Sequence, residues 1–449
     1  MSDDAVERVL AAFAANGSWS SMPPAVRERS TDILLDAIAC AIAGRTAPAR
    51  ESFAETVDAV TGPGDRLVVA DAPRSLAGAV LLNAWQTTAT TMCDVYRPAM
   101  CHVSPVVLPA LLAGIETRMP SQTDALGAFA LGLETTVRLC RAMRPDLYQG
   151  ARWHAPGVIG PFGAATTYAL LHGLDDSALR RSWGSAELQS SGTFSAIGSP
   201  GVKFTQARGA LAGVLAVELA LRGHGAAANP FSHPDGGLFD AYGGGDPALA
   251  TDGLDRDWVL DDISLRRWPA ASSLQSLVEA VLALRTDSPE LPQSIRIQLP
   301  EQSWKLCAGM LWADQLEALQ SARWVASVVW ADGECWTEQF STSRIADEEL
   351  GAFAASRVEV VLDDSLPRGA VRVVAKTAQG AIEHEILTAL GSPERPLSRD
   401  DVEAKLERAA GRDRALRIRD LLSDDGWDPA GLIRCLAEAP WSATAPPRR

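Results

Sequence analysis

Lysine is the scarcest charged residue here: Lys203, Lys305, Lys376 and Lys405 are the only four in 449 positions. Basic residues number 41 against 56 acidic, giving a formal net charge of −15. Such a surface repels phosphate backbones and anionic lipid headgroups, so neither nucleic acid nor membrane is expected as a partner. The seven cysteines, Cys40, Cys93, Cys101, Cys140, Cys307, Cys335 and Cys435, form no C-x-x-C pair. Scattered through apolar helical stretches, they read as buried thiols of a reducing compartment and exclude a disulfide framework.

Other absences narrow the chemistry. An iron–sulfur centre needs three or four placed thiolates, which Cys93 and Cys101 do not supply. Six histidines without ligand spacing exclude zinc. There is no H-E-x-x-H, no P-loop and no G-x-S-x-G. The glycine-rich run Gly236–Gly245 lacks the strand–turn–helix setting of a dinucleotide site and reads as a loop. No metal and no cofactor are expected. No apolar run approaches the roughly 20 residues of a bilayer span. Met1–Arg8 is acidic rather than signal-like, so the expected location is cytoplasmic.

What is present is an ordinary globular balance, 47% hydrophobic and 22% charged, in a length that favours two domains. Residues 1–262 read as almost all helix. In segment 24–44, Val26, Ile33, Leu34, Ile38 and Ile42 recur near the 3.6-residue period, and Gly44 is placed to cap the end. Segments 76–91, 105–117, 124–142, 160–173 and 205–222 share this Ala- and Leu-rich style, which predicts a bundle. Residues 263–390 change character: 293–299, 356–362, 370–375 and 381–387 alternate apolar and polar positions, predicting an antiparallel sheet covered by helices at 272–286 and 308–320. From 391 to 449 the chain turns helical again, with Ser398 as the N-cap, and is expected to pack back on the first domain. The tail Ala445–Arg449 reads as frayed. The fold class is thus α+β, mostly α.

Polar interruptions of this apolar background stand out. Asp94-Val-Tyr96-Arg97 leads to His102 between two helices. Trp153-His154 opens another helix, and Lys203 follows Gly198-Ser-Pro-Gly-Val. A single histidine or lysine in such a place is often structural. Two imidazoles together with Asp94, Arg97 and Lys203 would supply a proton-transfer group near neutral pH and cations for carboxylates.

In order and spacing, these segments resemble the MmgE/PrpD family, which includes dehydratases, decarboxylases and epimerases of small carboxylic acids. Leu34-Leu-Asp36 through Gly44 is similar to the family's opening helix. Asp94-Val-Tyr-Arg97 with His102 resembles its Asp-Asp-Gly-Tyr-Arg and His-Pro-Gly elements, and Gly132-Leu-Glu134 through Arg138 its Gly-Tyr-Glu-x-x-x-Arg-Leu helix. Arg152-Trp-His154, Ser190-Ser-Gly192 through Lys203, Arg266-Arg-Trp-Pro269 and Ser321 through Ala326 resemble later motifs, so the likeness spans nearly the whole chain. It implies a helical domain built from both chain ends, an inserted α+β domain, a homodimer and a site near the domain junction. Asp94, His102, His154 and Lys203 become catalytic candidates. Arg97, Arg266, Gln275, Tyr96 and Trp153 become substrate-binding candidates.

Departures accompany the likeness. Gln275 stands where the family has a histidine and cannot transfer a proton at neutral pH. Arg266 replaces a lysine, Val103 and Ser104 replace Pro-Gly, and Cys93 replaces the first Asp of the pair. The expected activity is a cofactor-free lyase acting on an anionic carboxylic acid through an enolate-like state. In it, Lys203, Arg97 and Arg266 hold the carboxylate, His102 and His154 exchange protons, and Asp94 orients an imidazole or pairs with Arg97. Two alternatives stay open. One is an isomerase, epimerase or cyclase with an apolar pocket lined by Trp153, Phe194, Trp268 and Trp324. The other is a non-catalytic binding protein.

Overall fold

The computed structural model describes residues 5–143, 153–196, 198–254 and 256–439. Arg152 and the tail Ala445–Arg449 lie outside the described residues. The chain divides into two compact units: Met1–Ala89, Cys93–Ile263 and Val402–Arg449 form one, Thr90–Met92 and Ser264–Asp401 the other.

The first unit is helical. Its helices are α1 (Ala5–Asn16), α2 (Pro24–Gly44), α3 (Arg50–Thr61), α4 (Leu76–Ala89), α5 (Ser104–Arg118), α6 (Gln122–Ala142), the single turn α7 (Ala155–Val158), α8 (Gly160–Leu171), α9 (Asp176–Glu187) and α10 (Gly201–Leu221). Proline at the first position of α2 costs nothing, since that amide has no helical partner. Gly44 does not cap α2 as its position suggested. It is the last helical residue, and a side chain there would strike the backbone of Gln86 on α4.

Helix α8 packs against α5, α6 and α10. Gly132 of α6 and Gly163 of α8 make one of these contacts possible, because a methyl on either would collide with the other's carbonyl and with Thr167 or Thr136. Helix α10 alone among the described helices has the length and hydropathy of a membrane span, although the sequence had suggested no such run; half of that window is buried inside the protein. Glu134 and Arg138, on α6, bracket a distant loop. The Glu134 carboxylate accepts from Arg138 Nε at 2.6 Å and from the amides of Val259 and Leu260, while Arg138 donates to the carbonyls of Ala250 and Asp252.

The second unit holds four strands, β1 (Ser294–Leu299), β2 (Val358–Leu362), β3 (Val371–Thr377) and β4 (Gly380–Ile386), in the order β2-β1-β3-β4. Strands β1, β3 and β4 are antiparallel, with Ile297 opposite Val373 and Val373 opposite His384. The expected all-antiparallel sheet is corrected at β2, which runs parallel to β1, Ile297 facing Val360. Between β1 and β2 the chain travels through α12 (Ala322–Asp332) and α13 (Glu348–Arg357), and a crossover of that length permits parallel pairing. Helix α11 (Gln275–Asp287) covers β3 and β4, and α12 packs on β2. The helix expected at 308–320 is reduced to the turn Gln315–Ala318, because Ser321 caps a new helix there by accepting the Trp324 amide. Trp324 is fully buried in this unit's core.

Segment 391–401 belongs to the second unit rather than to the C-terminal return. Leu265 donates to the Gly391 carbonyl, Arg395 pairs with Glu279 at 2.5 Å, and Arg267 pairs with Asp401 at 2.7 Å. Ser398 caps α14 (Arg399–Ala410) by accepting the Asp401 amide, and Asp401 accepts the Ser398 amide in return. From Val402 onward α14, with α15 (Arg412–Leu421) and α16 (Pro429–Ala437), is part of the first unit.

One ion pair fastens that return. Lys405 Nζ lies 2.6 Å from Asp36 Oδ1 on α2, the two side chains being 1% and 0% exposed. Cys40 Sγ donates to the other carboxylate oxygen at 3.6 Å. Removing one partner strands a buried charge, so Lys405→Met is expected to destabilise the protein by about 3–5 kcal/mol in urea unfolding, while Asp36→Leu combined with Lys405→Met recovers most of the loss. Equal stability of the single and double variants would show that the pair is not what holds the return.

Candidate active site

Asp94 organises the first half of the site. It is wholly buried just before α5, and its carboxylate accepts the amides of Val103 and Ser104 at 3.0 Å each, together with the Ser104 hydroxyl. These are the unpaired donors of a helix N-terminus, which also favours negative charge. Burial nevertheless dominates and pushes the Asp94 carboxyl up to about 6, with the Cys93 thiol acting in the same direction and the Ser104 and Val103 hydrogen bonds and His102 opposing.

The same residue fixes His102, through its backbone rather than its carboxylate. The Asp94 carbonyl lies 2.7 Å from His102 Nδ1. A carbonyl only accepts, so Nδ1 carries a proton. Cys93 Sγ sits 3.7 Å from the same Nδ1. Between them the chain makes a closed loop, in which Tyr96 and Cys101 exchange both backbone hydrogen bonds and Met100 takes a left-handed φ of 49° to complete the turn. Tyr96 is buried, and its hydroxyl is pushed up to about 12 by burial and by the neighbouring Cys140. Its place is in the packing under this loop. Arg97 is half-buried in the turn Arg97–Ala99.

His154 precedes α7 and is nearly enclosed. Its amide donates to the Gly192 carbonyl at 3.2 Å, and the Ser191 amide donates back to Gly157 at 3.1 Å, zipping the 190–193 segment alongside. The Phe194 ring meets the imidazole edge-on at 5.5 Å, and Thr205 Oγ1 of α10 lies 2.5 Å from Nδ1. Trp153 is half-buried, bridged to Thr193 and edge-on to Tyr242 at 4.9 Å. Lys203 is buried in the first turn of α10. Burial first, and then the charges of His102 and Lys203, lower His154 to about 3. The charges of two side chains from distant segments thus reach His154 inside a single unit. At neutral pH His154 is an uncharged imidazole.

The second-unit candidates behave differently. Gln275 is fully buried, and its amide is committed to its own loop: Oε1 accepts from Trp268 N at 3.3 Å, and Nε2 donates to the carbonyls of Trp268 and Ala270 at 3.0 Å each. Those bonds make it a clamp on the Trp268–Ala270 bend. Arg266 is buried beside that bend. Sequence reasoning missed Ser104, Thr205 and Gln206. Gln206 lies one turn from Lys203 on the same buried face of α10. Its spacing of three from Lys203 was the available signal. For metals, no group of three or more His, Cys, Asp or Glu side chains able to hold an ion occurs among the described residues.

The N-terminal domain model of the MmgE/PrpD family matches residues 8–250, and its C-terminal domain model matches 268–422. The chain belongs to the MmgE/PrpD family. Among its relatives, the cis-aconitate decarboxylase of Aspergillus terreus (strain NIH 2624 / FGSC A1156) is 26% identical over 358 residues, 73% of this chain and 72% of that protein. The cis-aconitate decarboxylase-like protein oryM of Aspergillus oryzae is 28% identical over 290 residues, 60% of each chain. Within this family framework, Asp94, His102, His154 and Lys203 all lie in the region matched by the N-terminal model, whereas Arg266 precedes the region matched by the C-terminal one.

Burial of a neutral His154 carries a signed pH dependence. The unfolded chain takes up a proton near 6.5 and the folded protein only near 3, so stability is full above 6.5 and declines as pH falls through that window. In urea unfolding between pH 4 and 7, His154→Gln is expected to show a shallower acid loss than the parent. Identical slopes would refute the buried neutral imidazole.

Proposed function

We propose that the protein is a lyase for a small, anionic di- or tricarboxylic acid, working by decarboxylation or dehydration through an enolate-like state. The observation that carries this reading is a buried His154, met at Nδ1 by Thr205 and depressed by burial and by the charges of His102 and Lys203 in the same unit. The relatives' names add the substrate class: cis-aconitate and acids of similar charge.

The chemistry needs a base that is neutral at working pH, a proton donor and a fixed cation. A desolvated His154 is the base and Lys203 the cation that stabilises the developing enolate charge. In dehydration, His154 removes the proton beside a carboxylate, the C–O bond breaks, and the leaving hydroxyl takes a proton from protonated His102. In decarboxylation, the C–C bond breaks, its electron pair enters the conjugated carboxylate system, and His102 protonates the resulting carbanion as carbon dioxide leaves. Either route balances without a further reactant. Arg97, in the same unit, is proposed to hold a remote carboxylate, because a guanidinium binds a carboxylate through two parallel hydrogen bonds.

The test is incubation of the purified protein with cis-aconitate, citrate and 2-methylcitrate, following substrate and product by proton NMR. Consumption of one acid is expected, and His154→Gln and Lys203→Met should each lower kcat about 100- to 10,000-fold. Full turnover in both variants would refute the assignment. Deuterium entering recovered substrate at a stereocentre, with neither water nor carbon dioxide lost, would indicate an epimerase instead.

The rate should also fall as pH drops through about 6, where Asp94 takes up a proton and loosens its hold on α5 and on the His102 loop. A pH profile of kcat/KM for Asp94→Asn, lower throughout and lacking that limb, would support the role. An unchanged profile would remove it.

A further inference from the structure

We infer that Thr205 is a positioning residue that fixes the tautomer of His154, directing the Nε2 lone pair toward the reacting atoms. The inference rests on the reading of His154 as the base and extends it to a side chain with no proton-transfer chemistry of its own.

The geometry leaves one consistent arrangement of protons. Thr205 Oγ1 lies 2.8 Å from the Val202 carbonyl oxygen and 2.5 Å from His154 Nδ1. A hydroxyl has a single proton, and the carbonyl can only accept. The proton therefore points at Val202, a lone pair faces the imidazole, and Nδ1 must be the protonated nitrogen. The opposite assignment would set the threonine oxygen and the carbonyl oxygen 2.8 Å apart with no proton between them. The chain of donors runs from His154 Nδ1–H to Thr205 O–H to Val202 C=O, and each group in it has one role.

This matters because a neutral imidazole free in water prefers the other tautomer, with the proton on Nε2. Such a ring would offer the substrate a donor where a base is needed. The Nδ1 proton of His102 is held by a backbone carbonyl, which no substitution at Asp94 deletes. His154 depends instead on a side chain, so its tautomer can be changed by mutation. The other contacts of His154 leave the choice open: its amide is bound to Gly192, and Phe194 presents only a ring edge. Orienting partners of this kind set which imidazole nitrogen is available.

The experiment uses full-length protein labelled with 15N-histidine, with His154 assigned by comparison with His154→Gln. In the parent at pH 7, long-range 1H–15N correlations should show a protonated Nδ1 and an unprotonated Nε2. Thr205→Val keeps the shape but removes the acceptor, and should move the His154 signals toward the Nε2–H form. On a substrate found as above, it should lower kcat about ten- to a hundredfold, with KM changed by less than about twofold. Thr205→Ser keeps the hydroxyl and should restore both the spectrum and the rate. A Thr205→Val protein with the parent's tautomer overturns the inference whatever its activity. A changed tautomer with undiminished turnover overturns His154 as the base, while Thr205 would keep its hold on the tautomer.

Discussion

The site depends on the way Asp94 is held. Its side chain supplies acceptors to the first amides of α5, and its main chain supplies one to His102. One residue therefore sets where a helix begins and which way an imidazole faces. Burial works against that carboxylate, and the helix end works for it. Because burial outweighs the helix end, the fold keeps a carboxyl in dry surroundings with its protonation point near 6. A serine at position 104 adds a third hydrogen bond that a glycine could not supply, so this departure from the family's pattern strengthens the arrangement.

In the same unit, the charges of Lys203 and His102 reach His154, in a protein of net charge −15. The overall field repels anions, so recognition of one must come from local charge. Desolvation keeps His154 neutral, which leaves Lys203 as the concentrated positive charge beside it. Enclosure raises the strength of each such interaction, because little water remains to screen it. On the proposed reading, the single unit supplies both the base and the charge that stabilises what the base produces.

Much of the helical frame was legible because an apolar period of 3.6 survives in α2, α4, α5, α6, α8 and α10, and the strands carried their period of two. The elements that escaped were those decided by distant partners. Lys405 reads as a polar helix residue until α2 brings Asp36 against it. The parallel pairing of β1 and β2 depends on a path through two helices, which alternation along a strand cannot encode. At the site, the residue types of Asp94, His102, His154 and Lys203 were visible as polar breaks in apolar surroundings. Thr205 and Ser104 were invisible because hydroxyls are common and their value lies only in where their protons point. Gln275 marks the converse: its position suggested a ligand, and three bonds to its own loop give it another task.

The clasp between α2 and α14 bears on how the molecule is made. Asp36 emerges from the ribosome early, and Lys405 is joined to the chain 369 residues later. Until then the carboxylate at the centre of the helical unit lacks its counter-ion, and a solitary charge resists being drawn into a dry interior. The buried pair of the helical unit can therefore close only after the whole second unit has been translated, within the last tenth of the polypeptide.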